Sequence, residues 1–343
     1  MNITLNNNRQ IGTNNQPYFI AEVNTSHFGN LEKAKELIRL AKESGCDCVK
    51  FQSWSEDTLY SNDFYQENPI AKRFIKKFSL SPDQLHELSI YARSIEIDFA
   101  STPYSIEEVD FLIDKCGVPF IKVASMDINN YPLLKHIANR GTAIILSTGM
   151  SDYEEIQDAV NLLKSNNAQN IALLHCISIY PTPLDIVNLK NLSLLQITFP
   201  NTTIGYSDHT LDIEISLAAV ALGATIIEKH FTLDKSLIGM DNQMAIEYNQ
   251  LTELIAKSKN IYNALGSKEK ILSQDELNQR SKMRRSLVAK INLNPGDILT
   301  TDNLDAKRPG TGISVANLNQ YLGKKVIHPI FANSLINPND ISS

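Results

Sequence analysis

The sequence predicts an α/β fold in which a TIM (β/α)8 barrel precedes a small, mostly β domain, and two observations support the barrel. Eight apolar, strand-like segments occur in about the first 230 residues, and they begin at Phe19, Cys48, Asp98, Phe120, Ala143, Ile171, Thr203 and Thr225. Stretches with the helical spacing of apolar residues, such as 31–44 and 214–222, separate most of these segments. Strands that alternate with helices form parallel sheets, and eight such units close into a barrel.

Polar residues follow each of the eight apolar segments, and many of the chain's Lys, His, Glu, Ser and Asp residues lie there. In TIM barrels the active site lies at the carboxyl ends of the strands and in the loops that follow them. The sequence therefore places its chemically active side chains where a barrel enzyme needs them, and we expect an enzyme.

Changes in composition divide the chain into three predicted parts. Residues 1–266 form the barrel domain, which ends with a helix from about Tyr248 to Leu265. Residues 267–284 are polar and charged, and we interpret them as a linker. Residues 285–343 contain short strands separated by Pro-Gly and Asn-Pro turns, which is typical of a small β domain.

The segment from residue 56 to residue 79 is long for a connection between a strand and a helix. It contains aromatic residues and a basic run from Lys72 to Lys77. One interpretation is an amphipathic surface helix, and the other is a lid or a dimer contact at the mouth of the barrel. The sequence leaves both open.

Charge and hydropathy argue against several classes of function. A formal net charge of −6 and a pI of about 5.7 provide no electrostatic attraction for nucleic acid. No apolar run approaches the roughly 18 residues of a membrane helix, and the first residues do not resemble a secretory signal. We expect a cytoplasmic protein without nucleic-acid or membrane partners.

The four cysteines, Cys46, Cys48, Cys116 and Cys176, are expected to be buried as small apolar residues. Cys46 and Cys48 have a C-x-C spacing at the start of a strand, which predicts that both point to one face. No second pair completes a metal site, and the composition argues against a disulfide framework.

The ends of the seventh and eighth predicted strands provide the strongest local signal, because each carries a histidine, His209 or His230. Two imidazoles on neighbouring strand ends can bind a divalent metal such as Mn²⁺, Fe²⁺ or Zn²⁺, with water and substrate oxygens as the other ligands. Glu22, Asp208 and Asp241 are further candidate ligands, or partners of a metal-bound water. The alternative is that a histidine is a hydrogen-bonded core residue, but four of the seven histidines fall at predicted strand ends.

Two lysines, Lys50 and Lys122, lie in otherwise apolar strands, where an unpaired ammonium group is unfavourable. Together with nearby hydroxyl groups they can hold a phosphate and a carboxylate; these hydroxyls belong to Thr102, Ser125, Ser147 and Ser207. Internal ion pairs with Glu22 or Glu228 are the structural alternative. A Schiff-base lysine is a further option.

Other polar residues are candidates for acid–base chemistry and for substrate contacts. Glu22 is a carboxylate in an apolar setting and can act as a general acid or base. Gln52, Tyr180 and Glu228 can orient a polyhydroxylated substrate. Arg308, in a Pro/Gly-bounded loop of the second domain, presents a guanidinium group, and a solvated basic turn is the alternative.

Taken in order, these segments resemble the sialic acid synthase family, whose members make N-acetylneuraminic, legionaminic and pseudaminic acids. The matching stretches are Glu22 with 27–29, then 49–52, 101–104, 121–125, 146–150, 174–176, 180–183, 207–210, 221–224 and 228–234. Residues 307–310 fall in a region that resembles the antifreeze-like (SAF) domain. The resemblance covers nearly the whole chain.

The resemblance implies a metal-dependent condensation of phosphoenolpyruvate with an N-acylated amino-sugar aldehyde, which gives a nonulosonic acid and phosphate. It implies that His209 and His230 bind the metal, commonly Mn²⁺ with Mg²⁺ or Co²⁺ as alternatives, and that Glu22 is the acid/base. The implied phosphoenolpyruvate contacts are Lys50, Thr102, Lys122, Ser125, Ser147 and Ser207, and the implied sugar contacts are Gln52, Tyr180, Glu228, Asp241 and Arg308. In the family Arg308 would come from the partner subunit of a domain-swapped homodimer.

The sequence leaves alternatives for the acceptor sugar and for the class of protein. Asn24 stands where the family motif has Gly, and the acceptor can be N-acetylmannosamine or a diacetamido hexose. A related phosphoenolpyruvate-dependent 3-deoxy sugar acid synthase would use a phosphorylated aldose, and it would need a second phosphate pocket. A carbohydrate-binding protein is the non-enzyme alternative, but it would have no use for the buried lysines and the paired histidines.

Overall fold

Eight parallel strands follow a short N-terminal hairpin in the computed structural model, which describes residues 2–342. The hairpin consists of β1 (Asn2–Thr4) and β2 (Gln10–Gly12). The parallel strands are β3 (Tyr18–Glu22), β4 (Cys48–Gln52), β5 (Asp98–Thr102), β6 (Ile121–Val123), β7 (Ile144–Ser147), β8 (Ile171–Cys176), β9 (Thr203–Asp208) and β10 (Ile226–His230). Each coincides with one of the predicted apolar segments.

The parallel strands form one sheet in the order β5-β4-β3-β10-β9-β8-β7-β6. Each strand therefore lies beside its neighbour in the chain, and β10 returns to pair with β3. The two edge strands, β5 and β6, also lie side by side, with Cα atoms within 8 Å of one another. The sheet is a nearly closed barrel of the TIM type, which confirms the predicted fold class.

Ten α-helices connect and flank the strands in the described part of the first unit. α1 shows how the sequence specifies them: Asn30 caps its first turn, and Ala34, Leu37, Ile38 and Ala41 form one buried face. No described helix is long and apolar enough to cross a membrane. The helices are α1 (Leu31–Glu43), α2 (Asn62–Glu67), α3 (Pro69–Phe78), α4 (Pro82–Ser94), α5 (Ile106–Phe111), α6 (Tyr131–Asn139), α7 (Tyr153–Ser165), α8 (Lys190–Thr198), α9 (Glu214–Ala221) and α10 (Tyr248–Leu265).

Alternate residues of each strand point into the barrel, because side chains alternate between the two faces of a strand. The layer nearest the amino ends of the strands is apolar, and Ile3, Leu5 and Ile11 of the hairpin pack against it. The layer nearest the carboxyl ends is polar and lines a cavity. The hairpin closes one end of the barrel core, and its three-residue strands are too short to give a recognisable pattern in the sequence.

The long segment after β4 contains α2 and α3, which pack through an aromatic cluster. The buried members of this cluster are Trp54, Tyr65, Ile75 and Phe78. Leu59 and Tyr60, from the same segment, line the cavity at the carboxyl ends of the strands. The segment is therefore helical, as the surface-helix interpretation states. Part of it also lies at the mouth of the barrel, as the other interpretation states. A dimer contact stays a prediction.

The second unit begins after Gly266 and has its own core. It consists of α11 (Gln274–Met283), the antiparallel pair β11 (Ser286–Ala289) and β12 (Leu304–Lys307), and α12 (Leu318–Tyr321). Most of the predicted linker is thus a helix, α11, whose residues are all exposed. Ser273 caps α11, while acidic residues in its first turn and basic residues in its last turn complement the helix dipole.

All four cysteines are buried and have free thiols, so their expected burial is confirmed. The prediction that Cys46 and Cys48 point to one face is wrong. Cys48 packs inside the barrel, whereas Cys46 packs in the outer layer against the helices. Cys46 precedes the first residue of β4, so the alternation of strand side chains does not extend to it.

Candidate active site

A cavity of about 420 Å³ opens at the carboxyl ends of the barrel strands. Apart from Asp208, every predicted site residue that belongs to the barrel lines it: Glu22, Lys50, Gln52, Thr102, Lys122, Ser125, Ser147, Tyr180, Ser207, His209, Glu228, His230 and Asp241. These residues come from all eight strands or from the loops that follow them, so the topology alone brings them together.

Lys50 lies at the floor of the cavity, where only 3% of its surface is exposed. Its ammonium group forms an ion pair with Glu22, lies 3.5 Å from Glu228 Oε2 and donates a hydrogen bond to Thr102 Oγ1 at 3.2 Å. Burial disfavours the charged form, but the two carboxylates outweigh it and raise the pKa of Lys50. Lys50 is therefore a cation.

Lys122 is the second buried ammonium group at the floor. It donates hydrogen bonds to Ser147 Oγ at 2.7 Å and to the Val123 carbonyl at 3.1 Å, and it lies 3.9 Å from Glu228 Oε1. Burial lowers the pKa of Lys122, although the Glu228 carboxylate opposes this effect. Lys122 is thus paired less strongly with carboxylates than Lys50 is, so its ammonium group can still bind an anionic ligand.

Glu228 connects the two lysines. Burial would raise its pKa, but Lys122, Lys50 and a hydrogen bond from Ser207 Oγ at 2.8 Å lower it to about 2. The floor therefore holds two ammonium groups against two carboxylates, which is the internal ion pairing anticipated as the structural alternative. This floor is neutral, so a multiply charged anion needs further positive charge to bind tightly.

His209 and His230 lie side by side at the rim, with ring centroids 5.2 Å apart. His209 Nδ1 hydrogen-bonds to the Ile177 carbonyl at 2.7 Å, and His230 Nδ1 lies 3.1 Å from Asp241 Oδ2. These contacts engage Nδ1 of each ring, which leaves Nε2 of each ring as the candidate ligand atom for a metal.

The donor set fits a metal that takes only part of its ligands from the protein. Within residues 2–342, no group of three or more His, Cys, Asp or Glu side chains is arranged to hold an ion. If a metal binds here, the two imidazole nitrogens would be the protein's contribution, and water and substrate oxygens would complete the shell.

Asp208 does not belong to the site, so its prediction as a further ligand is wrong. Ser207 and His209 point into the barrel, and Asp208, between them, points out toward the helices. There it accepts hydrogen bonds from Lys229 Nζ at 2.9 Å and Ser216 Oγ at 2.5 Å. It forms a structural ion pair that is fully buried.

The sugar-contact candidates lie around Glu22 and the histidines. Gln52 Nε2 donates to Glu22 Oε1 at 3.1 Å, and Gln52 Oε1 accepts hydrogen bonds from Trp54 Nε1 and Tyr104 Oη. The Tyr180 ring lies 4.2 Å from the His209 ring. This arrangement fixes the orientation of Gln52 and Glu22 before any ligand arrives.

Several cavity residues were not predicted from the sequence. Asn24, Trp54, Tyr104 and Cys176 all line the cavity. Strand alternation would have indicated Cys176, since it follows the inward-pointing Leu174 by two residues on β8. For the others, which lie in loops, the sequence gives no comparable signal.

Arg308 belongs to the second unit, in the loop after β12. The Arg308–Pro309 peptide bond is cis, and Gly310 N donates a hydrogen bond to the Ser281 carbonyl at 2.8 Å. The loop is therefore anchored to the end of α11. The role of Arg308 stays a prediction.

Gly149 controls the position of Ser125, and this gives a first testable prediction. Its N–H donates to Ser125 Oγ at 3.0 Å, and a Cβ at this position would lie 2.9 Å from that oxygen and 2.3 Å from Ser178 Oγ. Gly149→Ala should therefore displace Ser125 and, if Ser125 contacts phosphoenolpyruvate as the resemblance implies, weaken the binding of that substrate about tenfold, measured by calorimetry. Gly205→Ala is the control, because its Cβ would overlap Ile226 O and Leu174 inside the barrel; it should lower thermal stability instead. Unchanged binding by Gly149→Ala would contradict the role of Ser125.

The fold and the cavity define a barrel enzyme whose active site combines buried cations, carboxylates and a pair of imidazoles. Comparisons with known proteins agree. The model of the NeuB family matches residues 37–270, and that of the SAF domain matches residues 284–342. The chain belongs to the NeuB family, and it is an enzyme of the phosphoenolpyruvate-condensing transferase class.

Named relatives cover nearly the whole chain. The N,N'-diacetyllegionaminic acid synthase of Campylobacter jejuni is 42% identical over 89% of this chain and 94% of its own. The N-acetylneuraminate-9-phosphate synthase of Homo sapiens is 36% identical over 93% of this chain and 91% of its own. The crystal structure of N-acetylneuraminic acid synthetase from Leptospira borgpetersenii serovar Hardjo-bovis superimposes with a TM-score of 0.75 at 33% identity, over 81% of this chain and 95% of that one.

Proposed function

We propose that this enzyme condenses phosphoenolpyruvate with an N-acylated amino-sugar aldehyde to give a nonulosonic acid and phosphate. The observation that carries the proposal is the presence of two buried lysines and two rim imidazoles in one cavity. Relatives named as legionaminic, pseudaminic and N-acetylneuraminate-9-phosphate synthases support the same reaction class.

The proposed cofactor is a divalent cation held by His209 and His230, with Mn²⁺ preferred and Mg²⁺ or Co²⁺ as alternatives. When bound, it supplies Lewis-acid polarisation of the aldehyde and positive charge for the anionic substrate. The engaged Nδ1 atoms of both rings and the neutral charge balance of the floor support this assignment.

Phosphoenolpyruvate would bind at the floor, beside Lys50 and Lys122. Its phosphate and carboxylate only accept hydrogen bonds when ionised, so they need cations and hydroxyl donors. Lys122 and the hydroxyl groups of Thr102, Ser125 and Ser147 provide these. Ser207 is the remaining proposed contact, although its hydroxyl donates to Glu228 in the structure. Because the lysines are held in place by Ser147 and by the two glutamates, they are preorganised for the charge of the leaving phosphate.

Bond formation joins C3 of phosphoenolpyruvate to the aldehyde carbon, and the aldehyde oxygen becomes a hydroxyl. Water then adds to C2 and loses a proton, and the aldehyde oxygen takes up a proton to become the hydroxyl. The C–O bond to phosphate then breaks, the C2 hydroxyl gives its proton to the departing phosphate, and C2 becomes a ketone. Glu22 is the proposed group that takes the proton of this water, because Gln52 and Lys50 hold its carboxylate at the cavity floor. Neither lysine needs to form an imine.

The cavity favours an acceptor without phosphate. Among the described residues that line it, the cationic or imidazole side chains are those of Lys50, Lys122, His209 and His230, which the proposal already uses. A phosphorylated aldose would require a second cluster of cations. N-acetylmannosamine and the diacetamido hexoses are the candidates, with Gln52, Tyr180, Glu228 and Asp241 as contacts.

Arg308 is proposed to bind the acyl group of the acceptor from the partner subunit of a homodimer. Arg308→Ala should then raise KM for the amino sugar about tenfold, since a charged hydrogen bond is lost, and should leave KM for phosphoenolpyruvate unchanged. Steady-state kinetics with each substrate varied in turn measure the two constants. Equal losses for both substrates would contradict the assignment.

A cytoplasmic location also stays a prediction.

Calorimetric titration of phosphoenolpyruvate, with and without Mn²⁺, tests the proposal. We expect binding that becomes tighter when Mn²⁺ is present. Absence of binding by correctly folded protein would leave the proposed enzyme without a substrate and would favour a carbohydrate-binding protein.

A further inference from the structure

Asn24 lies in the loop after β3 and lines the cavity. Its backbone has φ of +39°, in the left-handed region that non-glycine residues rarely adopt and that asparagine tolerates best. This conformation directs an amide side chain toward the loop that carries Asp241, 217 residues later in the chain.

The contacts of the Asn24 amide define its orientation. Its Nδ2 donates a hydrogen bond to Asp241 Oδ2, the same oxygen that lies 3.1 Å from His230 Nδ1. A carboxylate can only accept, so the amide nitrogen must face Asp241 and Oδ1 must point elsewhere. Among the described residues, this oxygen is buried and has no hydrogen-bond donor.

A buried carbonyl oxygen without a donor is unfavourable, and a ligand can supply the missing hydrogen bond. Ionised phosphoenolpyruvate has no polar hydrogen and therefore cannot do so. An N-acylated amino sugar carries several hydroxyl groups and an amide N–H. The neighbouring Asp241 carboxylate also only accepts, so this wall of the cavity suits the donor-rich substrate.

We propose that Asn24 is a specificity-determining residue of the acceptor site. Its Oδ1 accepts a hydrogen bond from a hydroxyl or amide N–H of the amino sugar, while its Nδ2 holds Asp241 beside His230. This inference rests on the proposed function and assigns one wall of the cavity to the sugar.

Asn24→Gly tests the inference without disturbing the backbone, because glycine adopts positive φ without steric strain. KM for the amino sugar should rise about tenfold, while KM for phosphoenolpyruvate stays unchanged. Asn167→Gly is the matched control, since Asn167 also has positive φ, +72°, but is exposed and is not among the residues lining the cavity. It should leave both constants unchanged.

A set of acceptor analogues identifies the contact. Each analogue lacks one hydroxyl or carries an N-methylated amide, and the effect of Asn24→Gly should disappear for one of them. The same effect with every analogue, or equal rises in both KM values, would overturn the direct contact. Wild-type enzyme that turns over no amino sugar would refute the proposed function, whereas active wild type with an unaffected Asn24→Gly variant would refute this inference alone.

Discussion

His209→Ala should lower kcat/KM about a thousandfold or more, because it removes one of only two protein ligands proposed for the activating cation. The loss should persist when Mn²⁺ is added in excess, since one imidazole and a water cannot hold the ion in the required position. Phosphate release from phosphoenolpyruvate measures the rate. The Mn²⁺ electron paramagnetic resonance signal measures binding of the ion independently of turnover.

His175→Ala is the matched control for the loss of a buried imidazole. His175 lies on β8 at a similar depth, but it points away from the cavity and hydrogen-bonds to the Val187 carbonyl. This variant should lose stability and keep its Mn²⁺ binding. Turnover by His209→Ala in metal-stripped buffer, at the wild-type rate, would contradict the proposed metal role.

Lys50→Met should abolish phosphoenolpyruvate binding and lower the free energy of unfolding by about 3–5 kcal/mol. The loss of stability follows because Glu22, which is 1% exposed, would stay buried without its closest cation. Adding Glu22→Gln removes that uncompensated charge. The double variant should regain most of the stability, yet it should stay inactive because both the anion-binding cation and the proposed acid/base are gone.

Urea unfolding and calorimetry separate the two effects of Lys50→Met. Lys229→Met is the matched control, since Lys229 is equally buried and pairs with Asp208 at 2.9 Å on the outward face of the barrel. It should lose comparable stability while the folded protein still binds phosphoenolpyruvate. If Lys50→Met bound phosphoenolpyruvate as tightly as the wild type, the floor of the cavity would not be the anion site.

The barrel was predictable because its signals are local. Each strand is a short apolar run, and the alternation of side chains then places Lys50, Ser147 and Ser207 inside the barrel with their neighbours outside. The same alternation would have excluded Asp208 from the site, because Asp208 follows the inward-pointing Ser207 and must therefore point out of the barrel. The face of Cys46 was predicted wrongly because Cys46 lies before β4, and the alternation of side chains holds only within the strand.

The remaining features depend on contacts between distant residues. The pairing of Lys50 with Glu22 and the bond from Asn24 to Asp241 join different loops and strands, and no local pattern encodes them. Trp54 and Tyr104 hold Gln52 from loops whose course only the folded chain defines. Sequence therefore predicted most of the residues that meet, and it offered the pairing of the lysines with the glutamates only as one of two alternatives.

Phosphate release from phosphoenolpyruvate, measured across a panel of N-acylated hexosamines in Mn²⁺ and in chelator, tests the proposed reaction most directly. Release should occur only when an amino sugar and the metal are both present, with one phosphate formed for each sugar consumed. No release with any hexosamine, or an equal rate in chelator, would contradict a metal-dependent condensation in this cavity.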